Sequence, residues 1–285
     1  MMQHAQLSGL SGATLQILSD SGHAIVRKKS SSAQGNPRLQ RQMEKQQAFS
    51  RLNSPIKTPE ILNAGTTSEG IFYFDMKFIY GLDGHRFLEQ GGPAEMREFA
   101  AKLTDHLSRI DTHPCIGKTS IYPSLYDSCI YKLIEVHRQN VGLSDELAGK
   151  ILACLEQVRQ MNIDTQGFCH GDFTLENMMI GSKGDLFFVD FLDSTFEHPI
   201  QDFIKLSQDI HGGWFRTRGR RISASYIAYL EKIMECAVEK TVPGYAPARS
   251  VLQSLNFCRI LPYARDEIQR KFVIDRITQF VNQTS

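Results

Sequence analysis

The chain has 285 residues, of which 41% are hydrophobic and 22% charged, with a formal net charge of +1 at pH 7. Those proportions are ordinary for a folded globular protein with core enough for one large domain or two lobes, and the near-zero charge gives no basis for general nucleic-acid binding. The six cysteines form no CxxC pair, which excludes a zinc knuckle or a disulfide frame and fits reduced thiols of a cytoplasmic protein. No apolar stretch suits a secretion signal or a bilayer span, so no membrane association is expected.

The small residues Leu7–Ala13 lead into an apolar run, Thr14–Leu18. A turn at Asp20-Ser21-Gly22 then gives a second strand, Ala24–Arg27, and the whole reads as a β-hairpin. Backbone N–H groups exposed around Ser11 and Gly12 can cradle phosphate oxygens; a plain flexible turn is the competing reading. Three cations, Arg27, Lys28 and Lys29, end the second strand. Side chains alternate across a strand, so Lys28 shares a face with Ala24 and Val26, while Arg27 and Lys29 face the other way. Asn36-Pro37 opens a helix, with asparagine as cap and proline in the first turn. It runs to about Phe49, with Leu39 and Met43 inward and Glu44 its one acid. Ile71–Tyr80 is a buried strand that ends at Gly81.

Helical periodicity follows. Met96, Phe99, Ala100, Leu103 and Leu107 mark a helix from Pro93, and Tyr131–Val136 another. Ser144 caps a third, with Leu147, Ile151, Leu152, Leu155 and Val158 inside. Pro199 starts a helix that carries Asp202. The segment His211–Arg221, HGGWFRTRGRR, combines the only tryptophan with four arginines. It reads either as a loop that grips an anionic acceptor or as a solvated connector around a buried Trp214. The C-terminal helices read as scaffold.

Between these helices lies Phe168–Ser194, FCHGDFTLENMMIGSKGDLFFVDFLDS. It reads as a loop, a β-hairpin turning between Gly181 and Gly184, and a second loop. A hairpin brings its ends together. Asn177 enters its first strand and Asp190 leaves its second, so two oxygen ligands converge as Mg²⁺ requires, and Asp172 in the preceding loop is free to act as a base.

His170, Gly171, Asp172, Asn177 and Asp190 resemble, in type and spacing, the catalytic core of the aminoglycoside phosphotransferase and choline kinase family, small-molecule relatives of protein kinases. Phe191 follows Asp190, as in the kinase D-F-G, but no glycine follows it. The resemblance implies a two-lobed α+β kinase-like fold with a small antiparallel-sheet lobe, 1–81, and a larger, mainly helical lobe, 82–285. It implies that a lysine reaches the α/β-phosphates of ATP; of the three cations Lys28 is the candidate, with Arg27 and Lys29 still open. Glu44 would hold that lysine. The backbone of Asp75, Met76, Lys77 and Phe78 would meet adenine where the chain crosses between lobes. Asp202 would fix the catalytic loop or simply begin its helix.

The expected activity is transfer of the γ-phosphate of ATP, with Mg²⁺, to a hydroxyl of a sugar, an amino alcohol or an aminoglycoside-like molecule. Asp172 is the base, Asn177 and Asp190 the metal ligands, and His170 a brace. The expected partner is a small-molecule acceptor, and the chain is a monomer or homodimer. Two rival readings are a protein kinase or nucleotide-binding regulator of the same fold, and a metal-dependent hydrolase using Asp172, Asp190 and Asp193.

Overall fold

The computed structural model describes residues 6–8, 13–20, 22–109, 125–139, 142–159, 168–192, 197–242 and 245–283. The chain forms two compact units, Met1–Gly84 with Glu176–Asp193, and His85–Leu175 with Ser194–Ser285. The 176–193 hairpin joins the first unit.

The first unit is built on an antiparallel sheet of β1 (Gln6–Ser8), β2 (Ala13–Asp20), β3 (His23–Ser30), β4 (Ile61–Thr66) and β5 (Phe72–Lys77), in the order β1-β2-β3-β5-β4. Helix α1 (Asn36–Phe49) covers it, and Ala13, Leu39, Phe74 and Met76 form their shared core. Burying a side chain such as Phe74 contributes about 2–3 kcal/mol.

The inward face of α1 holds Leu39, Gln42, Lys45, Gln46 and Phe49. Three of the five are polar, and each has a partner, as a buried polar group must. Gln42 accepts from Lys28, Lys45 donates to the Leu192 carbonyl, and Gln46 donates to the Pro59 carbonyl. Asn36 does not cap the helix as the sequence led us to expect. Gly35 occupies the cap position, and the Asn36 amide bridges Gly70 O and Phe72 N at 2.8 and 2.9 Å, tying the helix start to the β4–β5 turn.

A second sheet has the order β6 (Gly81–Asp83), β7 (Met178–Gly181), β8 (Leu186–Phe188). Gly81 is required by close approach, since a Cβ there would lie 2.0 Å from the Ile180 carbonyl oxygen. The β7–β8 hairpin is stitched to Lys57 by hydrogen bonds from Lys57 N to Leu186 O and from Phe188 N to Lys57 O.

The second unit is helical: α2 (Gly84–Gln90), α3 (Pro93–Leu107), α4 (Leu125–Arg138), α5 (Asp145–Arg159), α6 (Pro199–Ile210), α7 (Ala224–Thr241), α8 (Tyr245–Ile260) and α9 (Glu267–Asn282). The apolar stripe of α3 is buried as its spacing predicts. On α5, Leu147, Ile151 and Leu155 are inside, whereas Leu152 is 45% exposed. Helix α6 is buried at every position. It packs against α7 and α8, so its polar residues work inside the unit. No helix among the described residues is long and apolar enough to cross a membrane.

Candidate active site

In the first unit the three cations of β3 separate by strand alternation. Lys28 is buried at 3% exposure. Its ammonium donates to Gln42 Oε1 at 2.8 Å and to Asp190 Oδ1 at 2.5 Å. Arg27, on the other face, forms a two-pronged pair with Asp75, directly across the ladder, at 2.7 and 2.8 Å, and its guanidinium lies over the Tyr73 ring. Asp75 holds the Arg27 pKa above its usual value against the effect of burial. Glu44, expected to hold Lys28, does not. It lies on the exposed face of α1, accepting from Gln40 at 3.2 Å. Gln42 takes that place, because the helix turns residues 39, 42, 46 and 49 inward together. A cavity of about 160 Å³ beside this contact is lined by Ala13, Ser30, Arg38 and Gln42, among others. Ser11 and Gly12 lie outside the described residues.

Asp190 is placed with care. Its φ is 60°, and it is the one non-glycine residue with positive φ among the described residues. Such a conformation costs on the order of 1 kcal/mol or more and persists only where neighbours impose it. Here Phe188 and Phe191, on either side, both pack on Phe49 of α1, with ring centroids 5.5 and 5.4 Å away. The chain is pinned before and after Asp190, and the carboxylate is turned toward Lys28. Asn177 ends a single turn of 3₁₀ helix, Leu175–Asn177. Its carbonyl accepts from Val189 N at 3.0 Å, so the two ends of the hairpin lie side by side. The described residues contain no cluster of three or more His, Cys, Asp or Glu side chains suited to a metal. The donors on offer are one carboxylate and one amide. That sparse oxygen set fits Mg²⁺, which completes its shell with phosphates and water.

The expected adenine-binding backbone needs correction. Asp75, Met76 and Lys77 belong to β5, paired with β3 on one side and β4 on the other. Lys77 N donates to Glu60 O and Phe78 N to Ala24 O, at 2.9 and 3.3 Å. Those two donors are spent within the sheet. The backbone beyond the ladder is 79–80, ahead of β6.

In the second unit the loop 168–174 is held from beneath by α6. The Asp202 carboxylate, fully buried, accepts from His170 N at 2.6 Å and Gly171 N at 2.9 Å. One turn further on, Asp209 Oδ2 accepts from Leu175 N at 2.9 Å and lies 3.4 Å from His85 Nε2. Gly171 has φ 90°, where a side chain would be strained. His170 is buried, and its Nδ1 accepts from Asp172 N at 3.2 Å. That contact ties the ring to the backbone of its own loop. Asp172 is only partly buried, and its Oδ1 pairs with Lys205 Nζ of α6 at 2.6 Å. Reading the sequence missed Lys205, Asp209 and Gln42. The signal for the first two was available: 202, 205 and 209 fall at i, i+3 and i+7, one face of a helix.

In the segment His211–Arg221, Trp214 and Phe215 are buried. Arg218 lies over the Trp214 ring, and Arg220 and the Arg221 N–H both reach Glu89.

The profile of the phosphotransferase enzyme family (APH) matches residues 5–243. No curated protein matches the sequence. Solved structures do. A thermostable mutant of aminoglycoside phosphotransferase APH(4)-Ia, in ternary complex with ADP and hygromycin B, aligns with a TM-score of 0.67 at 14% identity, over 99% of this chain and 94% of that one. The GDP and kanamycin complex of APH(2")-IIIa aligns with a TM-score of 0.67 at 13% identity, over 99% and 94%. ADP-bound APH(2'')-Ib gives 0.59 at 16%, over 100% and 93%. The shared architecture is the kinase-like α+β fold, a small antiparallel sheet with a larger helical region.

Proposed function

The chain belongs to the phosphotransferase enzyme family, acting on an alcohol group of a small molecule, and from that premise we propose that it moves the γ-phosphate of ATP, in the presence of Mg²⁺, to that hydroxyl. The acceptor oxygen attacks the γ-phosphorus, the bond from phosphorus to the β-bridging oxygen breaks, and ADP departs with the electron pair. Asp172 takes the proton of the attacking hydroxyl. Lys205 holds the Asp172 carboxylate at 2.6 Å, which fixes its direction. Most of the acceleration in such transfers comes from position and charge neutralisation.

Lys28 meets the α/β-phosphates, steadied by Gln42. Asn177 and Asp190 would hold the metal. When bound, Mg²⁺ neutralises charge on the β- and γ-oxygens. The observation that carries this reading is the 2.5 Å contact of Lys28 with Asp190. It joins a buried cation on β3 to the acid after β8, the two groups that a metal–triphosphate needs near one another. Asp202 positions the loop through two backbone N–H groups and takes no part in the chemistry.

The test is a screen of sugars, amino alcohols and aminoglycosides with ATP and with GTP, read by phosphate gained on the acceptor. The named relatives hold hygromycin B and kanamycin, so both belong in the screen. Phosphate on one acceptor class supports the proposal. Nucleotide binding without transfer to any acceptor points to a regulator, and phosphate released only to water points to a hydrolase.

A further inference from the structure

We infer that Gln42 is a positioning residue whose neutrality leaves Asp190 as the counterion of Lys28, so that Lys28 and the metal compete for one carboxylate. This rests on the phosphotransfer reading above and adds what sets the coupling between metal and nucleotide.

All three residues belong to the first unit. Lys28 and Gln42 are each only 3% exposed. The Lys28 ammonium donates to Gln42 Oε1 at 2.8 Å and to Asp190 Oδ1 at 2.5 Å. A buried cation is costly unless a full opposite charge lies close by. The Gln42 oxygen accepts a hydrogen bond but carries only a dipole. Asp190 is therefore the one acid paired with Lys28 among the described residues. Nearby acids are engaged elsewhere. Arg27 holds Asp75 on the opposite face of β3, and Glu44 lies on the exposed face of α1 beside Gln40.

A carboxylate at position 42 would change this. It would meet the same ammonium in a charge-assisted bond and leave Asp190 to other partners. With glutamine there, Asp190 has two claimants. Its side chain is 34% exposed, so an ion can reach it from solvent while Lys28 holds it from within. The backbone cannot move to escape the contest, because Phe188 and Phe191 pin it to Phe49 on either side. Phosphate oxygens arriving at Lys28 would take over as its counterion and release Asp190 to the metal. Nucleotide and metal then favour each other, and the gain is reciprocal.

Mn²⁺ is the probe, because it takes the same kinds of oxygen ligand as Mg²⁺. Its binding to the full chain without nucleotide is read from the EPR signal of the free ion. ADP binding with EDTA present is read by calorimetry. Gln42→Glu is expected to tighten Mn²⁺ about 10-fold and to weaken metal-free ADP by a similar factor. Gln42→Leu removes the amide oxygen, leaves Asp190 as the only partner of Lys28, and should weaken Mn²⁺ several-fold. In a Lys28→Met background, Gln42→Glu should bring no further gain. Asp190→Asn should abolish the response to either substitution at position 42.

The inference is overturned if Gln42→Glu leaves Mn²⁺ affinity at the parental value. It is overturned equally if the full gain persists in the Lys28→Met background, since added charge alone would then explain it. Should Gln42→Glu fail to fold, judged by thermal melting, Gln42→Leu decides, and unchanged Mn²⁺ affinity in that variant overturns the inference. The expected shifts, with no phosphate transferred to any acceptor, uphold the contest for Asp190 and defeat the phosphotransfer reading instead. Transfer to an acceptor, with Mn²⁺ affinity indifferent to position 42, does the reverse.

Discussion

Replacing Asp202 separates loop support from chemistry. Its carboxylate oxygens accept from His170 N and Gly171 N at 2.6 and 2.9 Å in a fully buried setting. Hydrogen bonds to a charged acceptor contribute roughly 1.5–3 kcal/mol each. Removing both with Asp202→Ala should cost about 3–6 kcal/mol, because two buried N–H groups are left without acceptors. Asp202→Asn keeps one acceptor and turns an amide N–H toward the other donor, so it should cost about 2–3 kcal/mol. At about 2–4 °C per kcal/mol for a unit of this size, Asn lowers Tm by roughly 4–12 °C and Ala by more. Urea unfolding gives the free energies. Amide hydrogen exchange at His170 and Gly171 shows whether the loss is local. Variants with Tm within a degree of the parent, and unchanged protection at those two amides, would refute the claim that α6 holds the loop.

Asp172→Ala should abolish transfer while nucleotide affinity stays near the parental value; retained transfer would remove Asp172 as the base. Lys28→Met and Asp190→Ala should each weaken Mg²⁺-dependent nucleotide binding by about 10-fold or more, read by titration with and without the metal. Gln42→Ala should weaken nucleotide binding several-fold, whereas Glu44→Ala, on the exposed face of α1, should leave it unchanged; the opposite ranking would restore the glutamate reading. Stability should fall as pH drops. His198 and His211 both have pKa values pushed from 6.5 to about 4, chiefly by burial, and for His211 also by Arg249. Glu235 acts in the opposite direction on His211 but is outweighed. The folded state holds these rings neutral while the unfolded chain protonates them, so stability is full above pH 6.5 and is lost toward pH 4, by about 3 kcal/mol per histidine. Urea midpoints between pH 7 and 4 measure the loss. His198→Asn, which keeps an acceptor for Ile200 N, should flatten the slope, and an unaltered slope would acquit His198.

The catalytic loop and its hairpin were legible because their residues lie close in sequence and geometry follows from spacing. Position 28 was legible because strand alternation is strict. Glu44 misled because the reading asked for an acid, whereas the buried stripe through Leu39 and Phe49 passes through Gln42. Residues 75–78 misled because an unpaired strand edge and a ladder interior look alike until the partners are known; ladders to β3 on one side and β4 on the other make β5 interior. Lys205 was overlooked for a different reason. Lysine on a helix is usually solvated, so its shared face with Asp202 carried little weight until the packing of α6 set it against Asp172.

The complete burial of α6 bears on how this protein can change. An ordinary surface helix has a tolerant side, so substitutions that survive selection recur with the helical repeat. Here no side is free, and a saturation scan of 199–210 should return an unbroken block of damaging substitutions. Directed evolution toward another acceptor would then find its accessible routes in other parts of the chain.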